Sequence, residues 1–470
     1  MKKIILTVLC VLIMGSFIAA LAEIRLPAII GSHMVLQQKS QVNIWGWSDP
    51  SEKITISTDW DTITYHAIGS SNGKWLTQIN TPVAGGPYKI AIQGHNLIVL
   101  EDVLIGEVWD CSGQSNMEMN YSEKVKEYSS DVENATNKSI RFFHIPRLSA
   151  MYPQDDTKAK WVVCNPEDMK RFSLAGYFFG QKLQQSLGNP VGLINASWGG
   201  TPAETWTPKE VFEQDTLLNN IAVRQKEVPW GPVMPAYAYN AMIYPITNYS
   251  IAGVLWYQGE ANVGNASTYN RLLTAMINSW RKAWQKDLPF YIVQIAPFAG
   301  YGNTISSALL REAQTKTLSI PNTGLVVISD LVSDTADIHP KNKKDVGLRL
   351  ANSVLAEVYG KKEMAWKSPM YKNMQIEKGK IRIYFDNAET GLISKGGAPS
   401  EFYIAGDDKK FVPAAAKIEK NTIVVWNKDI AAPAAVRFGF TSAAIPNVFN
   451  KDGLPVNSFR TDEWNDVNTR

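Results

Sequence analysis

The sequence has few of the side chains that build metal or nucleotide sites. Its 470 residues include three cysteines and five histidines, with no His-Glu-x-x-His and no Cys-x-x-Cys pattern. A zinc site is therefore poorly supported, and no metal is expected. The phosphate-binding patterns Gly-x-x-x-x-Gly-Lys-Ser/Thr and Gly-x-Gly-x-x-Gly are also absent, so no nucleotide or other cofactor is expected.

The chain also lacks a large excess of positive or negative charge. The chain has 47 Lys and Arg against 44 Asp and Glu, a formal net charge of +3, and no basic run dominates. A nucleic-acid partner would need a basic patch or stripe, so this class of function is not expected.

Long hydrophobic runs are missing after residue 22. Before that point, Lys2 and Lys3 precede an apolar run at residues 4–18, and Ala-Leu-Ala at residues 20–22 offers a cleavage site. This pattern predicts a secretory signal peptide over residues 1–22, because the run is short for a membrane anchor. The mature protein is expected to be soluble and exported, periplasmic or secreted, without stable membrane insertion.

Three cysteines limit the disulfide content. Cys10 would leave with the signal peptide, and only Cys111 and Cys164 would remain. In an oxidising compartment these two can pair, but the sequence does not show whether they approach each other.

The patterning predicts three modules after the signal peptide. Residues 23–102 contain short alternating strands between turn clusters, which indicates a β-sandwich-like module. Residues 103–362 alternate strands with helices, the pattern of an α/β domain with a doubly wound parallel sheet covered on both faces. Residues 363–470 return to alternating strands and form a C-terminal β module. In parallel sheets, sites form beyond the carboxyl ends of the strands.

A Gly-x-Ser-x-Gly string occurs at residues 69–73 but lies in the wrong context. A nucleophile elbow needs a strand, a sharp turn and a helix. Here the string lies between two alternating strands, so we interpret it as a hairpin turn and Ser71 as a decoy.

Ser115 is a better candidate nucleophile. It lies in Gly-Gln-Ser-Asn-Met at residues 113–117, directly after the apolar strand predicted at residues 103–109. A serine there can expose its hydroxyl to a cleft beside free backbone N–H groups. The alternative is an ordinary loop serine that caps the next helix.

Two more predicted strands end in polar segments. The strand at residues 191–195 leads into Ser-Trp-Gly-Gly-Thr at residues 197–201, and the strand at 251–257 leads into Gln-Gly-Glu-Ala-Asn at 258–262. Either segment could be a plain turn, but three polar strand ends in one parallel sheet converge on one cleft.

A serine nucleophile needs a general base, and position favours His339. His33, His66 and His95 lie in the N-terminal module, and His144 follows a predicted strand and could be structural. His339 follows a strand predicted at residues 325–329 and precedes the last helix of the α/β segment.

At these positions the sequence resembles the sialate O-acetylesterase family of the SGNH-hydrolase superfamily. The similar blocks are residues 113–117, 197–201, 256–262 and 337–341, with further likeness at 26–37 and 453–461. Four blocks in order within one α/β segment are a specific signal, and the resemblance covers nearly all of the predicted mature chain.

The resemblance implies a carboxylic ester hydrolase that removes acetyl groups from sugar hydroxyls, notably those of O-acetylated sialic acids. Ser115 would attack the acetyl carbonyl while His339 takes its proton. The Ser115 N–H, a glycine N–H at Gly199 or Gly200 and a side-chain amide at Gln258 or Asn262 would bind the oxyanion. The set of expected oxyanion and substrate-binding residues is completed by Gln114, Asn116 and Glu260.

This sequence departs from the superfamily pattern beside the histidine. The usual Asp-x-x-His would place an acid at position 336, which is alanine, whereas Asp337 stands two residues before His339. Asp337 is our candidate for the orienting acid. Asp334, Asp330 or a Ser–His dyad without an acid remain as alternatives.

Other functions were weighed on the same residues. An esterase for acetylated plant polysaccharide such as acetylxylan shares the fold and the chemistry, and cleft shape decides between the two substrates. A glycoside hydrolase would need a facing pair of carboxylates, for which Glu204 and Glu260 are the candidates. The third alternative is a non-catalytic sugar-binding protein with accessory β modules.

Overall fold

The computed structural model describes residues 23–122 and 125–464. The predicted signal peptide, residues 1–22, lies outside the described residues. Among those that are described, no helix combines the length and the apolar character needed to cross a bilayer.

The N-terminal module consists of β-strands. They are β1 Val35–Gln37, β2 Gln41–Trp47, β3 Lys53–Thr58, β4 Thr64–Ile68, β5 Lys74–Asn80, β6 Gly85–Gln93 and β7 Leu97–Gly113. β2 pairs with β5 in a separate ribbon, and β4, β3, β6 and β7 pair in that order. Isoleucines from both sheets share one core, as expected for strands that bury one face.

The predicted turn at residues 69–73 is present, but the prediction of a hairpin is wrong. β4 pairs with β3, whereas β5 pairs with β2, so the turn connects two sheets. The N–H of Gly73 donates to the Ser70 carbonyl at 2.9 Å, which closes the turn. No helix follows Ser71, so the context of a nucleophile elbow is missing.

The central segment alternates strands and helices. Its elements are α1 Ser115–Glu118, α2 Ser129–Glu133, β8 Asn137–His144, β9 Trp161–Cys164, α3 Pro166–Met169, α4 Leu174–Leu187, β10 Val191–Ser197, α5 Lys209–Gln214, α6 Thr216–Ala222, β11 Gly253–Tyr257, α7 Ala266–Trp284, β12 Phe290–Val293, α8 Ser306–Lys316, β13 Thr323–Val326 and α9 Lys343–Glu357.

The central sheet has the strand order β13-β12-β11-β7-β10-β8-β9. All neighbours pair in parallel except β9, which is antiparallel at the edge. Helices α7 and α8 share a core with one face of the sheet, and α4 and α9 with the other. The predicted doubly wound α/β class is confirmed.

Strand β7 joins the N-terminal module to the central sheet. Its first part pairs with β6 and β1, and its last five residues pair with both β10 and β11. The module boundary predicted between residues 102 and 103 therefore falls within one continuous strand.

The C-terminal module has its own core of phenylalanine, isoleucine and valine side chains. Its strands are β14 Met370–Glu377, β15 Lys380–Asp386, β16 Leu392–Ser394, β17 Phe402–Ala405, β18 Val412–Pro413, β19 Ala415–Glu419, β20 Thr422–Trp426, β21 Ala435–Phe438, β22 Val448–Asn450 and β23 Phe459–Arg460. Arg311 of α8 is buried against this module and donates to the carbonyls of Gly439 and Thr441.

The two cysteines that were open to pairing are both buried free thiols. Cys111 lies on the central strand β7, and the Cys164 thiol donates to the Ala135 carbonyl at 3.4 Å. Neither forms a disulfide in this fold.

Asp110 is a buried acid near the carboxyl end of β7. One carboxylate oxygen accepts the Ser112 hydroxyl at 2.6 Å, and the other has no partner among the described residues. Burial raises the pKa of Asp110 from 3.8 to about 7.

This shift predicts a pH dependence of stability. Between pH 3.8 and about 7 the folded state keeps a proton that the unfolded state releases. The free energy of unfolding should therefore fall as the pH rises through this window, by at most about 1.4 kcal/mol per pH unit from this group. In Asp110→Asn that contribution disappears. Urea unfolding between pH 4 and 7 measures the free energy of unfolding of both proteins. With rising pH, that of the variant should increase relative to that of the wild type. The same pH dependence in both proteins would contradict this.

Candidate active site

Three polar strand ends meet at the centre of the sheet. Strand β7 lies between β10 and β11, and the segments that follow all three are tied by backbone hydrogen bonds. The Gln114 N–H donates to the Tyr257 carbonyl at 3.0 Å, and the Trp198 N–H donates to the Gly113 carbonyl at 3.0 Å. The segments after residues 113, 197 and 257 therefore converge, as expected for neighbouring parallel strands.

Gly113 makes this convergence possible. Its φ of +143° is a conformation that favours glycine, and a Cβ atom there would lie 2.2 Å from the Tyr257 carbonyl oxygen. A side chain would push β7 away from β11 immediately before the nucleophile.

Ser115 is the first residue of the short helix α1 and faces His339. The Ser115 Oγ lies 2.9 Å from the His339 Nε2, within hydrogen-bond distance. His339 itself stands in the loop between β13 and α9. Both residues line a cleft of about 690 Å³, a volume typical of small-molecule sites. The two candidates, 224 residues apart in sequence, thus form a hydrogen-bonded pair, which is the arrangement that a serine nucleophile and its base require.

Asp337 lies beside the imidazole but does not hydrogen-bond to it. Its Oδ1 accepts the backbone N–H of His339 at 2.9 Å and lies 3.7 Å from the ring Nδ1. The two alternative acids make other contacts: Asp330 forms two hydrogen bonds of 2.7 Å with Arg349, and Asp334 accepts the Ala336 N–H at 2.8 Å. Asp337 is the only one of the three for which a contact with His339 is seen.

The glycine loop after β10 packs directly on the nucleophile. A Cβ atom on Gly199 would lie 3.0 Å from the Glu118 Oε2 and 3.3 Å from the Ser115 Cβ, so a larger residue would require these neighbours to shift. The Gly199 N–H, expected to bind the oxyanion, donates to the Glu118 Oε2 at 2.8 Å. Gly200 also lines the cleft.

Glu118 and Arg147 are cleft residues that the sequence reading missed. The second oxygen of Glu118 accepts a hydrogen bond from the Arg147 Nε at 2.5 Å, and both side chains line the cleft. Glu118 comes three residues after Ser115, and residues at this spacing share a helix face, so a signal for it was present. Arg147 has no comparable local signal.

The expectation that Gln258 or Asn262 offers its amide to the cleft is not met. Both side chains are buried: the Gln258 amide donates to the Thr201 carbonyl and to the Asn262 Oδ1, at 3.2 and 2.7 Å. Asn262 in turn donates to Glu204 at 2.8 Å. These amides hold the loops together from behind the cleft.

Asn116 is also buried, which corrects its assignment as a substrate-binding residue. Its amide donates to the Glu260 Oε1 at 2.6 Å and to the Ile338 carbonyl at 3.2 Å, while its oxygen accepts the Lys343 ammonium at 2.6 Å. Asn116 therefore ties the nucleophile helix to the third strand end and to the histidine loop.

Burial strongly shifts the pKa values of the two ionisable groups that contact Asn116. Lys343 is fully buried, which lowers its pKa to about 7, and burial raises the pKa of Glu260. The Lys343 ammonium also lies 5.0 Å from the centre of the Tyr257 ring, a cation–π contact. The second oxygen of Glu260 has no partner among the described residues, and Glu260 lines the cleft.

Gln114 is the predicted amide that does reach the cleft. Its Oε1 lies within 3.4 Å of the Gly259 N–H and 3.3 Å of the Ala261 N–H. Gln114 also lines the cleft.

No facing pair of carboxylates is seen for Glu204 and Glu260. Glu204 is buried, accepts hydrogen bonds from Asn262 and Gln225, and does not line the cleft. Its carboxylate braces the loop, so the arrangement does not support glycoside hydrolysis.

One group of potential metal ligands exists among the described residues, outside the cleft. Asp49, Glu52 and His95 of the N-terminal module place ligand atoms within 4.8 Å of one another. No sequence pattern indicated this group, because His95 is 43 residues from Glu52 in the chain. Glu52 already accepts the backbone N–H groups of Asp49 and His95, at 3.0 and 2.7 Å, so the group braces its loops.

Comparison with known proteins shows which family the chain resembles. Residues 106–356 match the family model described as carbohydrate esterase, sialic acid-specific acetylesterase. The human sialate O-acetylesterase is 27% identical over 402 residues, covering 77% of this chain and 76% of the relative. The mouse sialate O-acetylesterase is 26% identical and covers 89% of this chain and 90% of the relative.

A solved structure is similar over almost the whole chain. A carbohydrate acetylesterase from Xanthomonas citri is 34% identical, with a TM-score of 0.86, and the match covers 94% of this chain and all of that one. The family model spans more than half of the sequence and contains all four strand-end and loop segments of the cleft. The chain therefore belongs to the sialic acid-specific acetylesterase family of carbohydrate esterases, and it is a carboxylic ester hydrolase.

Proposed function

We propose that Ser115 is the nucleophile and His339 the general base in the hydrolysis of acetyl esters on sugar hydroxyls. The observation that carries the proposal is the distance of 2.9 Å between the Ser115 Oγ and the His339 Nε2 in the cleft. A serine hydroxyl is a weak nucleophile by itself, and a hydrogen-bonded imidazole activates it.

The proposed reaction has two stages. The Ser115 Oγ attacks the acetyl carbonyl carbon while His339 accepts the hydroxyl proton, and a tetrahedral intermediate forms. His339 then returns the proton to the departing sugar oxygen, which leaves an acetyl group on Ser115. Water, deprotonated by His339, attacks this acyl-enzyme, and acetate leaves as Ser115 regains its proton.

The negative oxygen of the intermediate needs hydrogen-bond donors. Ser115 is the first residue of α1, and the first N–H groups of a helix have no acceptor within it. We propose three donors for this oxygen: the Ser115 N–H, the Gln114 amide, and a glycine N–H at Gly199 or Gly200. Gly199 can contribute only after Glu118 releases its N–H, because an oxyanion and a carboxylate would repel each other there.

We propose O-acetylated sialic acids as the substrate. The human and mouse relatives are named sialate O-acetylesterases, and the family description names sialic acid. The competing proposal, an acetylated polysaccharide, is favoured by the Xanthomonas citri relative, which is described more broadly as a carbohydrate acetylesterase. Acetate release from O-acetylated sialic acid and from acetylxylan, compared at equal acetyl concentration, separates the two.

The proposed compartment follows from the N-terminal sequence. The charged, apolar and small-residue pattern of residues 1–22 supports export with removal of this segment. N-terminal sequencing of the protein recovered from the periplasm or the medium tests this proposal.

We expect Ser115→Ala to abolish acetate release and Ser71→Ala to leave it nearly unchanged. Only Ser115 has a base within hydrogen-bond distance, whereas Ser71 lies in a turn that links two sheets. Turnover of a small acetyl ester measures both variants, with circular dichroism as a folding check. Full activity without Ser115, or an acyl group trapped on Ser71, would overturn the assignment.

We expect His339→Ala to be nearly inactive and Asp337→Asn to be impaired but measurable. A hydrogen-bonded acid in a triad contributes up to about 10⁴ in turnover. The carboxylate of Asp337 is 3.7 Å from the imidazole nitrogen, so its loss should cost less, about 10- to 100-fold. Asp334→Asn is the matched control and should keep its activity. If Asp337→Asn equals the wild type and Asp334→Asn collapses, the acid has been misassigned.

We expect the enzyme to need no metal for turnover. The Asp49, Glu52 and His95 group lies outside the cleft, and the proposed serine mechanism does not use a metal-activated water. Enzyme treated with a chelator and desalted should keep its rate on a small acetyl ester. A loss that Zn²⁺ restores would contradict the mechanism.

A further inference from the structure

Trp230 differs from all other tryptophans of the chain. The sequence has fifteen, all within the described residues, and Trp230 alone has an exposed side chain, at 58%. The others are buried or half-buried, several of them in the core behind the central sheet. An exposed indole at the edge of a cleft costs solvation free energy unless a ligand covers it.

The turn that carries Trp230 is held in place by hydrogen bonds. Val228 and Gly231 form an antiparallel bridge, which places Pro229 and Trp230 at the tip of a tight turn. The Trp230 carbonyl accepts the indole N–H of Trp198 at 2.7 Å. This anchors the turn to the loop that follows β10.

The indole ring lies against the glycine pair beside the nucleophile. A Cβ atom on Gly200 would lie 2.4 Å from two atoms of the Trp230 ring, so Gly200 leaves the space that the ring needs. The preceding glycine, Gly199, packs on Ser115. The indole and the proposed nucleophile therefore contact neighbouring residues of the same loop.

Trp230 also separates two adjoining cavities. It lines the catalytic cleft with Ser115 and His339, and it lines a second cavity of about 370 Å³. Val228 and Val233 are shared by both, so the two cavities meet along this turn. The second cavity adds the polar side chains of Ser149, Glu227 and Tyr237, which can hydrogen-bond to hydroxyl groups.

We propose that Trp230 is a stacking platform for a sugar ring and that the second cavity binds the next sugar of a glycan. The acetylated sugar then lies in the catalytic cleft, and its glycosidic neighbour lies beyond Trp230. A flat apolar ring covers the apolar face of a sugar, while the surrounding polar groups bind its hydroxyls. The inference rests on the proposed sugar esterase function and extends it from single sugars to glycan-linked ones.

The test compares three acetyl esters: an acetylated oligosaccharide, the matching acetylated monosaccharide and a small ester without a sugar. For Trp230→Ala, we expect the ratio of kcat/KM on the oligosaccharide to kcat/KM on the small ester to fall about tenfold or more. Trp230→Phe should recover part of that ratio, because it keeps a flat ring. Tyr152→Ala, at another exposed aromatic that lies outside both cavities, is the control and should change none of the three rates.

A second variant tests the neighbouring cavity. Ser149→Trp fills it, and we expect the ratio of kcat/KM on the oligosaccharide to that on the monosaccharide to fall at least fivefold. A wild-type enzyme that prefers the monosaccharide, or a Trp230→Ala variant that lowers all three rates equally, would overturn the inference. Loss of the proposed function itself would be recognised separately, since Ser115→Ala would then retain activity on the small ester.

Discussion

The active site depends on how closely the backbones of three parallel strands approach each other at Gly113. The carbonyl of Tyr257 lies so near that no Cβ atom fits at position 113, and backbone hydrogen bonds on both sides complete the contact. Because the chain turns at this point, Ser115 begins a helix directly over the sheet rather than extending beyond it. The position of Ser115 is therefore set by the packing of the sheet, whereas His339 lies in the loop between β13 and α9.

Below the reacting pair, a buried polar network connects the loops that carry it. Lys343, Asn116 and Glu260 come from the start of α9, from α1 and from the segment after β11. An isolated buried ammonium or carboxylate would be costly, so each group depends on the others as partners. Asn116 lies between the two charges and also bonds to Ile338, next to the base. The network thus connects the segments that carry Ser115 and His339, the proposed nucleophile and base.

The part of the cleft around the glycine loop also contains residues from outside the strand ends. Glu118 and Arg147 form an ion pair there, and the turn with Trp230 packs on the glycine loop from outside. Glu118 lies on α1 together with Ser115, whereas Arg147 and the turn with Trp230 come from segments outside the three strand ends. In our proposal, the esterase chemistry depends on the strand ends, whereas Arg147 and Trp230 belong to other segments. Changes in those segments can alter the substrate while the reaction stays the same.

Much of the central architecture followed from local patterns. The sequence predicted the strand–helix alternation, the polar segments after β7, β10 and β11, and the choice of Ser115 and His339, because each rests on a short run of residues or on chain order. It also separated Ser71 from Ser115 by the elements around them, although it took the turn for a hairpin. These predictions did not require knowledge of the contacts between residues that are distant in sequence.

The directions of the side chains were decided only by the tertiary structure. Asn116 sits beside the nucleophile in sequence, yet its partners Lys343 and Glu260 are 227 and 144 residues away and draw it into the interior. The Gln258 amide donates to Asn262, and the Asn262 amide donates to Glu204. The Gly199 N–H donates to Glu118. These groups, expected to donate to the oxyanion, therefore already have hydrogen-bond acceptors within the protein. Hydrogen-bond partners across such separations are set by packing, because a buried polar group must find whichever partner the fold brings near it. The sequence determined which residues could do the chemistry, and the fold decided which of them face the substrate.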